Sequence, residues 1–338
     1  MKKDFLKQAV PYLVAIVVFV IITFVFFSPL LEGKKLYQSD IANFSGGAKE
    51  IIDYRQQTGK EPLWTNSMFG GMPAYQVSTK YTGNFLGFFD RVFRLGLPRP
   101  ADMFFLYFLG FFFLLVVLRV NPWLAMAGAI AYGFSSYFLI IIEVGHNSKA
   151  DAIGYMAPVI AGIILTLRRK YFLGGILTTL FLSLQIRANH PQISYYLILT
   201  AVILGICELV SAIRSKEYMP LVKSIVVLFA AGILAVLTNI NTLWPTYEYS
   251  KYTIRGKSEL TSEKENRTSG LDKDYATQWS YGVGETMTLL IPNMYGGTYQ
   301  KVGMNSATAK ALRENNVPEQ SISQFLDQPL PMYWGPQP

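Results

Sequence analysis

The sequence has very little cysteine, histidine and charge. Its 338 residues include one cysteine, Cys207, so no disulfide can form within the chain, and only two histidines. Charged residues make up 15% of the chain and apolar residues 51%, whereas soluble domains carry about 25% charged residues. This composition excludes the two or three soluble domains that the length alone would permit.

Familiar catalytic motifs are also missing from the sequence. It has no Walker loop, no dinucleotide-binding fingerprint and no serine-hydrolase elbow. The middles of its apolar runs carry no Asp, Glu, Lys or Arg, which argues against an ion-coupled transporter. No His-x-x-x-His spacing is present. The sequence therefore gives a metal site little support, although a divalent ion stays open because both histidines are expected on one side.

Long apolar runs dominate the sequence. The first run, Val10–Leu31, has no charge and is long enough to cross a hydrocarbon core of about 30 Å. A signal peptide is the alternative, but this run exceeds the usual apolar region and lacks a small-x-small site before Glu32. Six further runs follow: Met103–Leu118, Trp123–Ile142, Ile153–Leu167, Tyr171–Ile186, Ile193–Leu209 and Leu221–Ile240. The sequence predicts an all-α polytopic membrane protein with about seven transmembrane helices.

Lys and Arg in the short connections predict the orientation of these helices. Three alternate connections are basic: Arg119, Arg168–Lys170, and the segment with Arg214, Lys216 and Lys223. The pattern places the amino terminus on the cytoplasmic side of the membrane and explains the net charge of +8 without nucleic acid. It predicts a transmembrane domain over 1–243, with a first outer loop over 32–100. Residues 244–338 then form a second outer loop or the start of an outer region.

Both histidines lie in short polar turns at the predicted outer ends of helices. EVGHNSKADA (143–152) contains His146 and Lys149, and RANHPQ (187–192) contains Arg187 and His190. Such turns can simply be solvated. They can also bind phosphate, because charge-assisted hydrogen bonds to phosphate oxygens are short and strong. Arg255 in the last segment is a further candidate for phosphate binding.

Asp40 follows the first apolar run, in KKLYQSDIANF. One interpretation is a helix cap, since Ser39 or Asp40 precedes an amphipathic pattern over Ile41–Gln57 that would lie along the membrane surface. The other is a general base that takes a proton from an acceptor hydroxyl. Spacing alone favours the cap.

Several longer motifs resemble the YfhO-type bacterial membrane proteins. They are SD after the first helix, PLWTNSMFGGMPAY, GHNSKADAIGYMAPV, RANHPQISYY and LDKDYATQWSYGVGET. The resemblance covers essentially the whole chain. YfhO-type proteins are similar to the GT-C class of polytopic glycosyltransferases.

The resemblance implies transfer of a sugar on the outer face of the membrane, from a polyprenyl-phosphate donor to an envelope polymer or lipid. In that class an acidic residue just past the first helix acts as base or orients the acceptor, and the matching position here is Asp40. Basic residues at outer helix ends hold the donor phosphate, which by position are His146, Lys149, Arg187 and His190, with Arg255 in addition.

Two departures from that class stand out, the spacing of the acidic residues and the extent of the chain. The class often has an acidic pair near this site, whereas here Glu50 and Asp53 follow only several turns after Asp40. Some members use a divalent metal, which leaves metal dependence open. Family members continue with further membrane helices, so the chain is expected to be an amino-terminal part. Two other functions stay open: a transporter or flippase of lipid-linked substrates, and a non-catalytic envelope assembly protein.

Overall fold

A computed structural model describes residues 2–253, 282–295 and 297–331 of the chain. The described part is mostly helical. Its α-helices are α1 (Lys2–Phe26), α2 (Ser39–Gly47), α3 (Lys49–Thr58), α4 (Leu86–Phe93), α5 (Ala101–Val117), α6 (Pro122–Gly133), α7 (Ser136–Val144), α8 (Asn147–Leu167), α9 (Tyr171–Arg187), α10 (Pro191–Ser215), α11 (Tyr218–Leu237), α12 (Ile240–Ser250), α13 (Ala307–Glu314) and α14 (Glu319–Leu326). Two short antiparallel pairs join β1 (Trp64–Thr65) to β2 (Met72–Pro73) and β3 (Tyr299–Gln300) to β4 (Leu330–Pro331).

Within the described residues, four helices are long and apolar enough to cross a membrane. They are α1 through its segment Ala9–Phe26, α8, α10 and α11. A fifth span results if α6 and α7 count as one broken helix, whereas α5 and α9 are apolar but shorter. This architecture fits the predicted all-α membrane protein. The predicted number of seven spans and the GT-C fold stay predictions.

Two predicted helices are interrupted in the structure. The third apolar run divides after Gly133, where α6 ends, and resumes at Ser136. The amphipathic pattern over Ile41–Gln57 divides at Ala48, directly after Gly46 and Gly47. Two successive glycines have low helix propensity and add no side chain that would hold a continuous helix together. The first loop therefore carries two short helices instead of one.

The chain forms two compact units. The first contains Met1–Phe134 and Gly145–Tyr247, and the second contains Ser135–Val144 and Glu248–Pro338. In the second unit, α7 packs against a 3₁₀ helix at Val283–Leu289, and Thr298 donates a hydrogen bond to Glu143 over 2.9 Å. A small apolar core of Ala309, Ile322 and Leu326 joins α13 to α14.

Helices α5, α8 and α9 form the centre of the first unit. Tyr155, Val159, Phe181 and Leu184 are almost fully buried there. The backbones of α8 and α9 approach closely because small residues face each other, a common arrangement between membrane helices. A Cβ atom added at Gly162 would lie 2.6 Å from Thr178 Oγ1, so a larger residue does not fit without a shift of the helices.

Opposite ends of this bundle carry different polar groups. At one end, Arg168 donates to the carbonyl oxygen of Val117 and Arg169 pairs with Glu217, so the basic connections predicted to be cytoplasmic meet there. At the other end, α9 finishes and α10 begins, and His146 and His190 precede α8 and α10. We refer to this second end as the His190 end.

Candidate functional site

Four predicted site residues meet at the His190 end: Asp40, His146, Lys149 and His190, together called the polar cluster below. Asp40 Oδ2 lies 2.9 Å from His146 Nε2. The Asp40 side chain is 37% exposed and that of His146 is 11% exposed. The carboxylate is therefore reachable from solvent while one of its oxygens is held by an imidazole.

Lys149 interacts electrostatically with both residues and is only 2% exposed. Its ammonium group and the Asp40 carboxylate attract each other. A buried cation needs such compensation, because removing a lone charge from water is costly. Lys149 therefore balances the charge of Asp40 from inside the protein, and only a ligand that enters the cluster would reach it.

His190 completes the polar cluster from the N-cap position of α10. It lies near enough to Lys149 and His146 for their charges to affect its ionisation. Its Nδ1 atom is buried and has no hydrogen-bond partner among the described residues. An unpaired buried ring nitrogen costs free energy unless a ligand or water satisfies it, so His190 is suited to contact a polar ligand.

Burial, together with the positive charge of Lys149, lowers the pKa of both histidines to about 4. Both imidazoles are therefore neutral at pH 7. The Nε2 atom of His146 lies within hydrogen-bond distance of Asp40, and a proton held there by the carboxylate fixes the tautomer of the neutral ring. Burial also raises the pKa of Asp40, while Lys149 opposes that rise. A carboxylate with a raised pKa is a better proton acceptor once ionised.

The backbone brings the two segments together through Gly145. This residue has φ of +103°, and a Cβ atom there would lie 3.0 Å from Gln38 Cβ and 3.4 Å from Asp40 Cβ. Glycine thus permits both the turn and the close approach. Beside it, the amides of Gln38 and Asn147 exchange hydrogen bonds of 3.1 and 3.4 Å. These contacts hold the first loop against the start of α8.

The prediction of a cap at the start of α2 is wrong. Gln38 occupies the N-cap position without a side-chain cap bond, and Asp40 lies in the first turn. The other two acidic residues of the loop are engaged elsewhere. Glu50 accepts hydrogen bonds from Thr65 and from the backbone of Asn66 and Ser67. Asp53 pairs with exposed Lys49.

Arg187 does not join the polar cluster. Its Nη1 lies 3.2 Å from Asp90 Oδ2, in a second set of charges at the His190 end. In this set, called the arginine network below, Arg94 contacts Asp90, Asp102 and Asp151 at 2.7 to 3.0 Å. Its further members are Arg99, which pairs with Asp151, and Tyr155, which donates to Asp90. Arg187 is 39% exposed and keeps an accessible face.

The remaining charged residues of the first turn, Glu143 and Asp151, lie in different parts of the structure. Asp151 belongs to the arginine network, and Glu143 lies in the second compact unit. Arg255 lies outside the described residues. Among those that are described, no group of three or more His, Cys, Asp or Glu is arranged to hold a metal ion. Among the described residues, the donor set of the polar cluster therefore does not fit a divalent cation.

An apolar groove runs along the helices that lead to the polar cluster. It has a volume of about 1000 Å³ and is bounded by α8, α9, α10 and α11. Ser194, one turn after His190, lines it near the His190 end, and Leu209 and Leu221 line it at the other. The groove thus extends along the length of these helices, which suits a long apolar chain.

No family model, curated protein or solved structure matches the chain. The resemblance to YfhO-type proteins therefore remains a prediction.

The sequence did not point to Gln38, Gly145 or most of the arginine network. Two features of the sequence were available as signals: Asp90 and Arg94 stand four residues apart, and Asp102 opens an apolar run where a charge is costly.

Proposed function

We propose that this protein is a membrane glycosyltransferase related to the YfhO-type proteins and the GT-C class. It would transfer a sugar from a polyprenyl-phosphate donor to an envelope polymer or lipid at the outer face of the cytoplasmic membrane. The observation that carries this proposal is the polar cluster, in which a partly exposed Asp40 lies 2.9 Å from His146 and beside a buried lysine.

Asp40 is the general base in this proposal. Its carboxylate takes the proton of an acceptor hydroxyl while that oxygen attacks the anomeric carbon of the sugar. The bond from that carbon to the phosphate oxygen breaks, and the lipid phosphate leaves with the electron pair. His146 holds the carboxylate in place through its Nε2 proton.

The donor phosphate would bind beside Lys149 and His190, with Arg187 as a more distant contact. Positive and hydrogen-bonding groups fixed in advance stabilise charge that develops on a leaving phosphate. The groove beside Ser194 would accept the apolar chain of the donor. A phosphate site at the end of a long apolar groove matches the two chemically different parts of a lipid phosphate.

The test measures transfer of labelled sugar from a polyprenyl-phosphate donor in membranes that contain the protein. We expect Asp40→Asn to reduce transfer about 10²- to 10⁴-fold, the usual contribution of a general base. Asp53→Asn is the matched control, because it alters an exposed carboxylate of the same loop and should leave transfer unchanged. Equal transfer by wild type and Asp40→Asn at equal abundance would remove Asp40 as the base. No transfer by wild type from any polyprenyl-phosphate sugar would contradict the proposed function.

A further inference from the structure

The short helix α4 has an exposed apolar face. Phe85, Phe88 and Val92 recur at helical spacing and are 64%, 67% and 49% exposed, and Leu95, two residues after the helix, is 53% exposed. A contiguous exposed patch with two phenyl rings is unusual for a surface in water and marks a contact with a partner or a membrane.

The neighbouring face of α4 packs into the first unit. Leu86, Phe89 and Phe93 contact the core cluster around Phe181. The ring centroids of Phe93 and Phe181 are 5.0 Å apart. Phe181 lies six residues before the end of α9, about 9 Å along the helix axis at 1.5 Å per residue. The apolar side of α4 therefore lies below the ends of the bundle helices, at the depth of their outermost turns.

The third face of α4 is polar and lies level with the helix ends. Asp90 contacts Arg187 at the last residue of α9. Arg94, directly after α4, contacts Asp102 in the first turn of α5 and Asp151 in the second turn of α8. The arginine network thus fixes the rotation of α4 about its own axis, with charged groups toward the helix ends and apolar groups toward the middle of the bundle.

The apolar surface of α4 continues onto the spanning helices. A groove of about 750 Å³ begins at Phe85, Leu86 and Phe89 and follows α9 and α11. Helix α11 is long and apolar enough to cross a membrane, and most of its surface is exposed. What covers α11 therefore extends onto α4 at Phe85. In a membrane that covering is lipid.

We propose that α4 is an interfacial membrane helix, with Phe85, Phe88, Val92 and Leu95 among the lipid acyl chains of the leaflet at the His190 end. Amphipathic helices of this kind insert about 5 to 10 Å below the headgroups, which agrees with the depth set by Phe181. Exposed Arg91 would extend along the boundary with its guanidinium toward the phosphates, as basic side chains do at membrane surfaces. The proposal does not depend on glycosyl transfer or on the direction of insertion.

The single cysteine makes the test direct. Full-length protein with Cys207→Ser and Phe88→Cys is labelled with an environment-sensitive fluorophore and placed in phosphatidylcholine vesicles. Fluorescence is quenched either by lipids with a nitroxide near the headgroup or by aqueous iodide. Wild type labelled at Cys207, which is exposed on α10, gives the lipid reference. Lys310→Cys in the Cys207→Ser background gives the water reference, since Lys310 is 79% exposed on polar α13.

We expect the label at position 88 to be quenched by nitroxide lipid at least about two-fold more than the label at position 310, and to be shielded from iodide. Val92→Cys, on the same face, should behave alike, and this second variant covers a failure of Phe88→Cys to fold. Quenching by iodide equal to that at position 310 would overturn the proposal, because α4 would then face water. Shielding from both quenchers would also overturn it, because a protein surface would then cover α4.

Discussion

The Asp40 carboxylate acquires its chemical character from residues far along the chain. His146 holds one of its oxygens, Lys149 supplies a buried positive charge, and Gly145 permits the approach of the loop. A carboxylate in an exposed first turn would otherwise stay fully hydrated. At the residue scale, the site depends on one close backbone contact and on two neutral imidazoles.

Gly145→Ala should displace Asp40 from His146. Alanine at φ of +103° is strained, and its Cβ would crowd Gln38 and Asp40, so we expect a loss of stability of about 1 to 3 kcal/mol. Gly59→Ala is the matched control, because Gly59 has φ of +69° with no atom within 4 Å of the added Cβ. Thermal unfolding in detergent measures both variants. Equal losses in the two variants would show that crowding at Gly145 is unimportant.

The stability of the protein should fall as the pH is lowered from about 6.5 toward 4. Burial lowers the pKa of His146 and His190 to about 4 from an ordinary value of 6.5, so in this range the unfolded chain binds protons that the folded chain does not. Each histidine changes the free energy of unfolding by at most about 1.4 kcal/mol per pH unit. Asp40 has the opposite sign, because its pKa is raised in the folded state, and it offsets part of the effect.

Unfolding measured across this range in wild type and in His146→Gln with His190→Gln tests the pH prediction. The chain has no other histidine, so the double variant should lose most of the pH dependence. If the free energy of unfolding of the double variant still fell with pH as steeply as that of wild type, carboxylates would be responsible for the effect.

At the scale of elements, the arginine network connects the first loop to three bundle helices. Arg94 is 4% exposed and bridges Asp90 of α4, Asp102 of α5 and Asp151 of α8. Arg187 adds α9 through Asp90. Carboxylates buried this deeply are stable only while their cation is present. Arg94 is therefore the residue on which the position of α4 depends.

Arg94→Met should destabilise the protein by about 3 to 5 kcal/mol, because it leaves buried carboxylates without their main partner. Arg169→Met removes an ion pair with Glu217 whose side chains are 60% and 55% exposed, and should cost less than about 1 kcal/mol. Comparison of the two melting temperatures in one detergent checks the prediction. A similar small loss in both would mean that water or a rearranged side chain compensates for Arg94.

For the whole molecule, the division of charge between the two bundle ends predicts the direction of insertion. The connections with Arg119, Arg168–Lys170 and Lys216 meet at one end, and the polar cluster lies at the other. Bacterial membrane proteins keep basic connections in the cytoplasm. The polar cluster is therefore expected to face outward, as the proposed function requires.

Labelling of single cysteines in intact cells tests this orientation. In a Cys207→Ser background, Tyr37→Cys should react with a membrane-impermeant maleimide, since Tyr37 is 78% exposed near Asp40. Lys216→Cys, in the exposed connection between α10 and α11, should react only after the cells are lysed. The reverse pattern would place the polar cluster in the cytoplasm.

The sequence by itself determined the helical character of the chain, because long apolar runs without charge satisfy their backbone hydrogen bonds only as helices in a membrane. It also indicated the residues of the polar cluster, since polar turns between apolar runs must lie at helix ends. Only the tertiary structure decided that Asp40 contacts His146 and not its own helix terminus, and that Arg187 pairs with Asp90. Those choices depend on which helix ends are neighbours and on the close approach at Gly145, and neither is encoded in local spacing.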